Sequence, residues 1–182
     1  MSSNPEFHLA TKNQLQHIKD GLNKISPQIW SCLGDESINI YVRYNKFAEI
    51  YLVPTQMERK LRLIRDLKCI KHTGLYFGFL KGIEFLLSLE GAEFILNTCK
   101  KKKNIPIAVI TVSEDASKSF LYGNSLKPEQ FIHSPNSLNR KDVFFVFNPH
   151  NRFIGIGYIY KRQDQTELRN LVDYGYYIRR GF

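Results

Sequence analysis

Cysteine is scarce in this chain: three among 182 residues, Cys32, Cys69 and Cys99, all far apart. Small secreted domains stapled by disulfides show a dense, even-numbered pattern, so a reducing, intracellular compartment is the default. No apolar run is long enough to span a bilayer, and Met1 to Asn4 are polar, without the apolar segment of a secretory signal. A soluble protein with no membrane partner is expected. There is no internal repeat. Cys69-Ile70-Lys71-His72 has half of a zinc spacing, but no second Cys/His pair stands near it and zinc needs three or four ligands, so no metal site is assigned. Gly155-Ile156-Gly157 lacks the third glycine and the following helix of a dinucleotide loop, and reads as a strand. The histidines, His8, His17, His72, His133 and His150, are scattered, and no nucleophile-base arrangement is visible. No cofactor, small-molecule substrate or catalytic residue is therefore assigned.

What the chain has in excess is positive charge. Twenty-six Lys and Arg face 17 Asp and Glu, a formal +9. From Lys100 to Phe182 there are 14 basic and seven acidic residues, a net +7, against a net +2 for residues 1 to 99. A basic region attracts polyanions: nucleic acid most commonly, an anionic membrane surface or an acidic protein otherwise. Hydrophobic residues make up 43% of the chain and aromatic ones 13%, ample for buried cores in one medium domain or two small ones.

The first half alternates helix and strand signals. Thr11 with Gln14 is a capping box, followed by Leu15, Ile18, Leu22 and Ile25 at helical spacing. Ile38, Ile40, Val42 and Tyr44 alternate as a strand, and Glu49 to Val53 forms its hairpin partner. Pro54-Thr55 with Glu58 opens a helix carrying Arg59, Lys60, Arg62, Arg65 and Lys68. That helix reads as a solvated face or as an extension of a basic track. Gly74 to Leu80 and Phe85 to Leu89 are strands, and Glu90 to Cys99 a closing helix. The run Lys100 to Lys103 suits a helix C-terminus, a soluble linker or an RNA or nuclear-import patch.

Pro106 restarts the chain, so the domains divide as 1–103 and 104–182. The second half holds a strand over Ile107 to Val112, a short helix near Ser113 to Tyr122, and strands at Val143 to Phe147, Phe153 to Tyr160 and Val172 to Tyr177. Glu114 and Asp115 fit the helix N-terminus. On the last strand Tyr176 and Tyr177 would face opposite ways. Short strands punctuated by Gly, Pro, Asn and Asp point to a small β-barrel, and the chain as a whole to an α+β fold.

Three blocks in this half, Ser119-Phe120-Leu121-Tyr122-Gly123-Asn124, Phe153-Ile154-Gly155-Ile156-Gly157 and Asp173-Tyr174-Gly175 through Arg179, resemble a PUA domain. Within that superfamily they are similar to the Nip-seven family of large-subunit ribosome-biogenesis factors. Gly74, Phe77-Gly78 and Glu90 to Leu96 echo the same family more faintly. Residues 1 to 70 match it only in the order of elements, and Ser113-Glu114-Asp115-Ala116 departs from the Pro-Gly-Ala version of its motif.

The resemblance implies an N-terminal α/β pre-PUA domain followed by a PUA-type β-barrel, and no enzymatic activity. It implies binding of precursor rRNA through the basic face of the barrel, and contacts with other ribosome-assembly proteins through the N-terminal domain. A monomer is expected, in archaeal cytoplasm or in the eukaryotic nucleus and nucleolus. Arg179 and Arg180, in the matching C-terminal block, and Lys161 and Arg162, directly after the glycine strand, are the expected phosphate contacts. The competing reading of the arginines is a solvated chain end. Two functional alternatives stand beside this one: a PUA-containing translation initiation or recycling factor, and an RNA-modifying enzyme with its chemistry in the N-terminal half.

Overall fold

The computed structural model describes residues 7–35, 37–57, 73–101, 106–163 and 165–179. Contacts divide the chain into two units, one comprising Met1–Asn23 and Pro27–Ile105, the other Lys24–Ser26 and Pro106–Phe182.

The first unit runs β1 (Phe7–Leu9), α1 (Lys12–Asn23), α2 (Gln28–Asp35), β2 (Ile38–Tyr44), β3 (Ala48–Pro54), a 3-10 turn at Thr55–Met57, β4 (Leu75–Lys81), β5 (Glu84–Leu87) and α3 (Leu89–Lys101). Its five strands form an antiparallel sheet in chain order. The capping box holds: the Thr11 amide donates to Gln14 Oε1 at 2.8 Å and the Gln14 amide to Thr11 Oγ1 at 3.3 Å. Ile18 and Leu22 follow on the buried face, and the helix closes at Asn23, before Ile25. Ser88 caps α3, accepting from the Gly91 amide and donating to the Tyr76 carbonyl. Strand β1 and helix α2 carry too few residues for a clear period and were not evident in the sequence. Thr55–Met57 form a 3-10 turn, and the rest of the basic helix expected from Pro54 onward, with its basic residues, lies outside the described residues.

A buried polar cluster sits on this sheet. Arg43, 8% exposed, donates through Nε (2.9 Å) and Nη2 (2.5 Å) to Glu49 Oε2, which also accepts from the Tyr51 hydroxyl at 2.9 Å. Burial opposes the charge on Glu49, yet the hydrogen bonds from Arg43, Tyr51 and Asn45 hold its carboxyl below the usual range. Burial, then the bond to Glu49, pushes the Tyr51 hydroxyl above its ordinary pKa.

The second unit comprises β6 (Val109–Val112), α4 (Glu114–Leu121), a 3-10 turn at Pro128–Gln130, β7 (Phe131–His133), β8 (Val143–Phe147), β9 (Phe153–Arg162), β10 (Gln165–Asp173) and α5 (Gly175–Arg179). Its sheet has the order β10-β9-β8-β6-β7, with β6 and β8 parallel and the other pairs antiparallel. An isolated antiparallel bridge, Leu126 with Leu168, curls the sheet towards closure. Inside lie Ile110, Val112, Ala116, Phe120, Leu126, Phe144, Val146, Ile154, Ile159 and Leu168. Each large side chain there contributes about 2 kcal/mol of burial. Gly155 and Gly157 allow the close approach their spacing suggests: a Cβ at Gly155 would stand 2.4 Å from the Val172 carbonyl oxygen.

The last element differs from expectation. The strand expected over Val172 to Tyr177 stops at Asp173, and Gly175–Arg179 is a helix, so Tyr176 and Tyr177 do not alternate across a strand. Aromatic, β-branched sequence argued for a strand, but tertiary contact overrides that weak preference. A Cβ on Gly175 would lie 1.8 Å from the Leu121 carbonyl oxygen, so the backbone turns against the end of α4 at a point only glycine can occupy.

Candidate nucleic-acid interface

Helix α4 organises one end of the second unit. Ser113 caps it, accepting from the Ala116 amide at 3.3 Å, and Glu114 and Asp115 sit in its first turn, where the helix dipole favours acids. At its other end the Gly123 amide donates to the Phe120 carbonyl (2.8 Å) and the Asn124 amide to the Ser119 carbonyl (3.2 Å), the paired bonds of a Schellman stop. Two side chains from farther along the chain complete this end. Asn170 Nδ2 donates to the Phe120 carbonyl at 2.8 Å, and Arg179 Nη1 donates to the Leu121 carbonyl.

Arg179 is also paired in bidentate fashion with Asp173, Nη1 to Oδ1 and Nη2 to Oδ2, each at 2.9 Å. The Asp173 side chain is 1% exposed and that of Arg179 29%. The Asp173 bond raises the guanidinium pKa above its ordinary value despite the opposing effect of burial. Both terminal nitrogens of Arg179 therefore have partners inside the chain, and its positive charge lies at a helix C-terminus, where it stabilises the exposed carbonyls.

The opposite end of the sheet is different. Lys161 and Arg162 close β9 beside the Gln163 turn, and both are exposed. The register pairs Lys161 with Thr166 and Arg162 with Gln165. Because side chains alternate along a strand, Lys161 shares the face of Ile159 and Arg162 that of Tyr160. Two more cations join them. The Lys141 amide donates to the Ile159 carbonyl (2.8 Å) and the Ile159 amide to the Asp142 carbonyl (2.9 Å), which brings the exposed turn of Arg140 and Lys141 against β9. Among the described residues none of these four cations has an ion pair.

On the Arg162 face, Tyr158, Tyr160, Glu167 and Arg169 form a compact group. Arg169 stands opposite Tyr158, and Glu167 opposite Tyr160. The guanidinium carbon of Arg169 lies 3.4 Å from the Tyr160 ring centroid, and its Nε donates to Glu167 Oε2 at 3.3 Å.

Of the four residues expected to contact phosphate, the three described ones are not gathered on one surface. Arg179 is turned inward at the α4 end, Lys161 and Arg162 sit at the hairpin end on opposite faces, and Arg180 lies outside the described residues. Lys100 and Lys101 end α3, and Lys102 and Lys103 lie outside the described residues, as do Cys69 and His72. Among the described residues no cluster of His, Cys, Asp and Glu suits a metal ion, and no helix is long and apolar enough to cross a membrane. Sequence reasoning missed Arg140, Lys141 and Arg169. The turn signal of Asn139-Arg140-Lys141-Asp142 was legible, but its neighbour on β9 was not.

A curled five-stranded mixed sheet around one capped helix, closed by a C-terminal segment folded back on that helix, is the architecture of a PUA domain, a class that typically binds RNA. Residues 108–182 match the UPF0113 PUA domain family, so the chain carries a PUA domain. Across nearly its whole length the chain is similar in fold to a conserved PUA domain protein from Thermoplasma acidophilum, with a TM-score of 0.58, 17% identity, and coverage of 97% of this chain and 99% of that one. It is also similar to a hypothetical protein from Pyrococcus horikoshii, with a TM-score of 0.59, 11% identity and coverage of 94% and 98%. A PUA domain structure from Aeropyrum pernix, solved as a tartrate complex, gives a TM-score of 0.51 at 12% identity, covering 93% and 86%. No curated protein matches the sequence. At these identities the likeness is one of fold.

Proposed function

We propose that this protein is a non-enzymatic RNA-binding factor that holds precursor rRNA during large ribosomal subunit assembly, with its N-terminal unit meeting other assembly proteins. The observation that carries RNA binding is the hairpin end of the PUA domain, where Arg140, Lys141, Lys161 and Arg162 are exposed and have no ion pair among the described residues, and where Arg162 shares the sheet face of Tyr158 and Tyr160. Unpaired cations next to aromatic rings suit single-stranded RNA, whose phosphates need charge and whose unstacked bases need planar surfaces. The ribosomal role is supported by the likeness of the Ser119 to Asn124, Phe153 to Gly157 and Asp173 to Arg179 blocks to the Nip-seven family. In this reading Arg179 supports the domain and the hairpin cations meet phosphate.

The test is the salt dependence of binding to single-stranded RNA. Lys161→Ala with Arg162→Ala should leave the thermal midpoint unchanged and reduce the log-log salt slope by about 1.4, the loss of two phosphate contacts. Unchanged affinity and slope would remove both residues from the site. Crosslinking in cells should recover large-subunit precursor RNA, and recovery of mature small subunits and initiation complexes instead would overturn the ribosome-assembly role.

A further inference from the structure

Four side chains on the outer face of the β9–β10 hairpin are arranged more tightly than solubility requires. Arg169 reaches diagonally across the hairpin from its cross-strand neighbour Tyr158 to lie over Tyr160, its guanidinium carbon 3.4 Å from the ring centroid. That is van der Waals contact above the centre of the ring. Glu167, opposite Tyr160, accepts from Arg169 Nε at 3.3 Å. Burial opposes the charge on Arg169, yet the hydrogen bonds to Tyr158 and Glu167 together hold its guanidinium pKa above the ordinary value. The cation is thus held in position from three sides, by a ring beneath it, a hydroxyl beside it and a carboxylate at its Nε.

An arginine meant for phosphate presents a free fork, and here the charge is partly offset by Glu167. What remains available is the plane. The Arg169 side chain keeps 39% of its exposure. One face of the guanidinium rests on Tyr160, and the opposite face is the one a ligand would meet. A nucleobase takes such a plane readily, because an arginine resting on an aromatic ring extends the stack by one layer and loses little freedom when the base arrives. Phosphates on either side of the stacked base would meet Arg162 on the same face and the Arg140–Lys141 turn beside Ile159.

We propose that the Tyr160–Arg169 pair is a stacking platform for one base of single-stranded RNA. The inference rests on the reading of this domain as an RNA-binding module and deepens it, by separating a base-dependent contact from the phosphate contacts of the hairpin cations. Every base has a π-face, so the platform tolerates sequence but requires a base.

The discriminating probes are oligouridine and a ribose-phosphate oligomer of the same length and charge with abasic positions. The unmodified protein should bind oligouridine about tenfold more tightly than the abasic oligomer, as expected for loss of one stacked base. Arg169→Lys keeps the charge and removes the plane. It should erase that preference while leaving both the salt slope and the abasic affinity unchanged. Tyr160→Leu should act in the same way, and Tyr160→Phe, which keeps the ring, should bind like the unmodified protein. Equal affinity of the unmodified protein for the two oligomers, or a preference that survives Arg169→Lys, would overturn the platform while leaving RNA binding itself in place. If the unmodified protein binds neither oligomer, RNA binding fails and the platform with it. The oligomer comparison needs no substitution, so a variant that does not fold leaves the proposal falsifiable.

Discussion

At one end of the PUA domain a guanidinium, that of Arg179, lies between a carboxylate that is 1% exposed and the last carbonyls of a helix, whereas at the other end Lys161 and Arg162 stand in solvent at the tip of a hairpin. The residue types are nearly the same. Their partners differ, and the partners decide the role. Asp173 comes into position because β10 runs past Gly155 and then turns at Gly175 against α4, so a buried acid faces inward and requires a cation. The hairpin tip lies beyond the apolar core, and among the described residues no buried acid draws its cations inward. A basic residue near a chain end therefore identifies a binding surface only once its carboxylate neighbours are known.

The comparison is easiest to break at the α4 end. Gly175→Ala places a methyl group on the Leu121 carbonyl, which must displace the C-terminal helix. We expect a loss of about 3 kcal/mol in chemical denaturation, with the Arg179–Asp173 pair lost as well. A stability within 0.5 kcal/mol of the parent would show that α5 is not seated there. Arg179→Ala leaves the Asp173 carboxylate buried without its cation, and we expect about 2 to 3 kcal/mol of destabilisation. RNA bound by the folded fraction should keep an unchanged salt slope. Should Arg179→Ala instead lower the slope and spare stability, the two ends would have exchanged roles, and Arg179 would be the phosphate contact first read from the sequence.

The smallest effect concerns the Arg43–Glu49 pair of the first unit, a second arginine held by a carboxylate. The carboxyl pKa of Glu49 is lowered on folding, so its stabilisation is complete above the ordinary carboxylate pKa of about 4.3 and is lost as pH falls through the lowered value. Glu49→Gln should flatten that acid limb in a thermal melt against pH, while reducing stability at neutral pH by about 1 kcal/mol. An acid limb unchanged by the substitution would assign it to other carboxylates.

Much of the fold was legible because the signals were local. The Thr11–Gln14 box, the Ile38 to Val53 hairpin and the acidic helix start at Glu114 and Asp115 each act within a few residues, and the structure shows each of them. The parallel pairing of β6 with β8 and the helix at Gly175–Arg179 were not legible, since both depend on segments distant in the chain. The candidate site followed the same division. Lys161 and Arg162 were singled out from their place after a glycine strand. Arg140 and Lys141 enter only through a backbone bond to Ile159, and Arg169 through a ring on the neighbouring strand.

By itself the sequence determined the positive excess of the second half and the α+β class, because composition, period and capping are properties of neighbouring residues, and its resemblance to a PUA domain likewise lies in three short blocks. Only the tertiary structure decided which cations are free. Whether a guanidinium meets a buried carboxylate, a helix-terminal carbonyl, an aromatic ring or water depends on chain crossings: 58 residues separate Arg179 from the Leu121 carbonyl it caps. Electrostatic partnership follows distance in space, and the linear order of residues does not encode that distance.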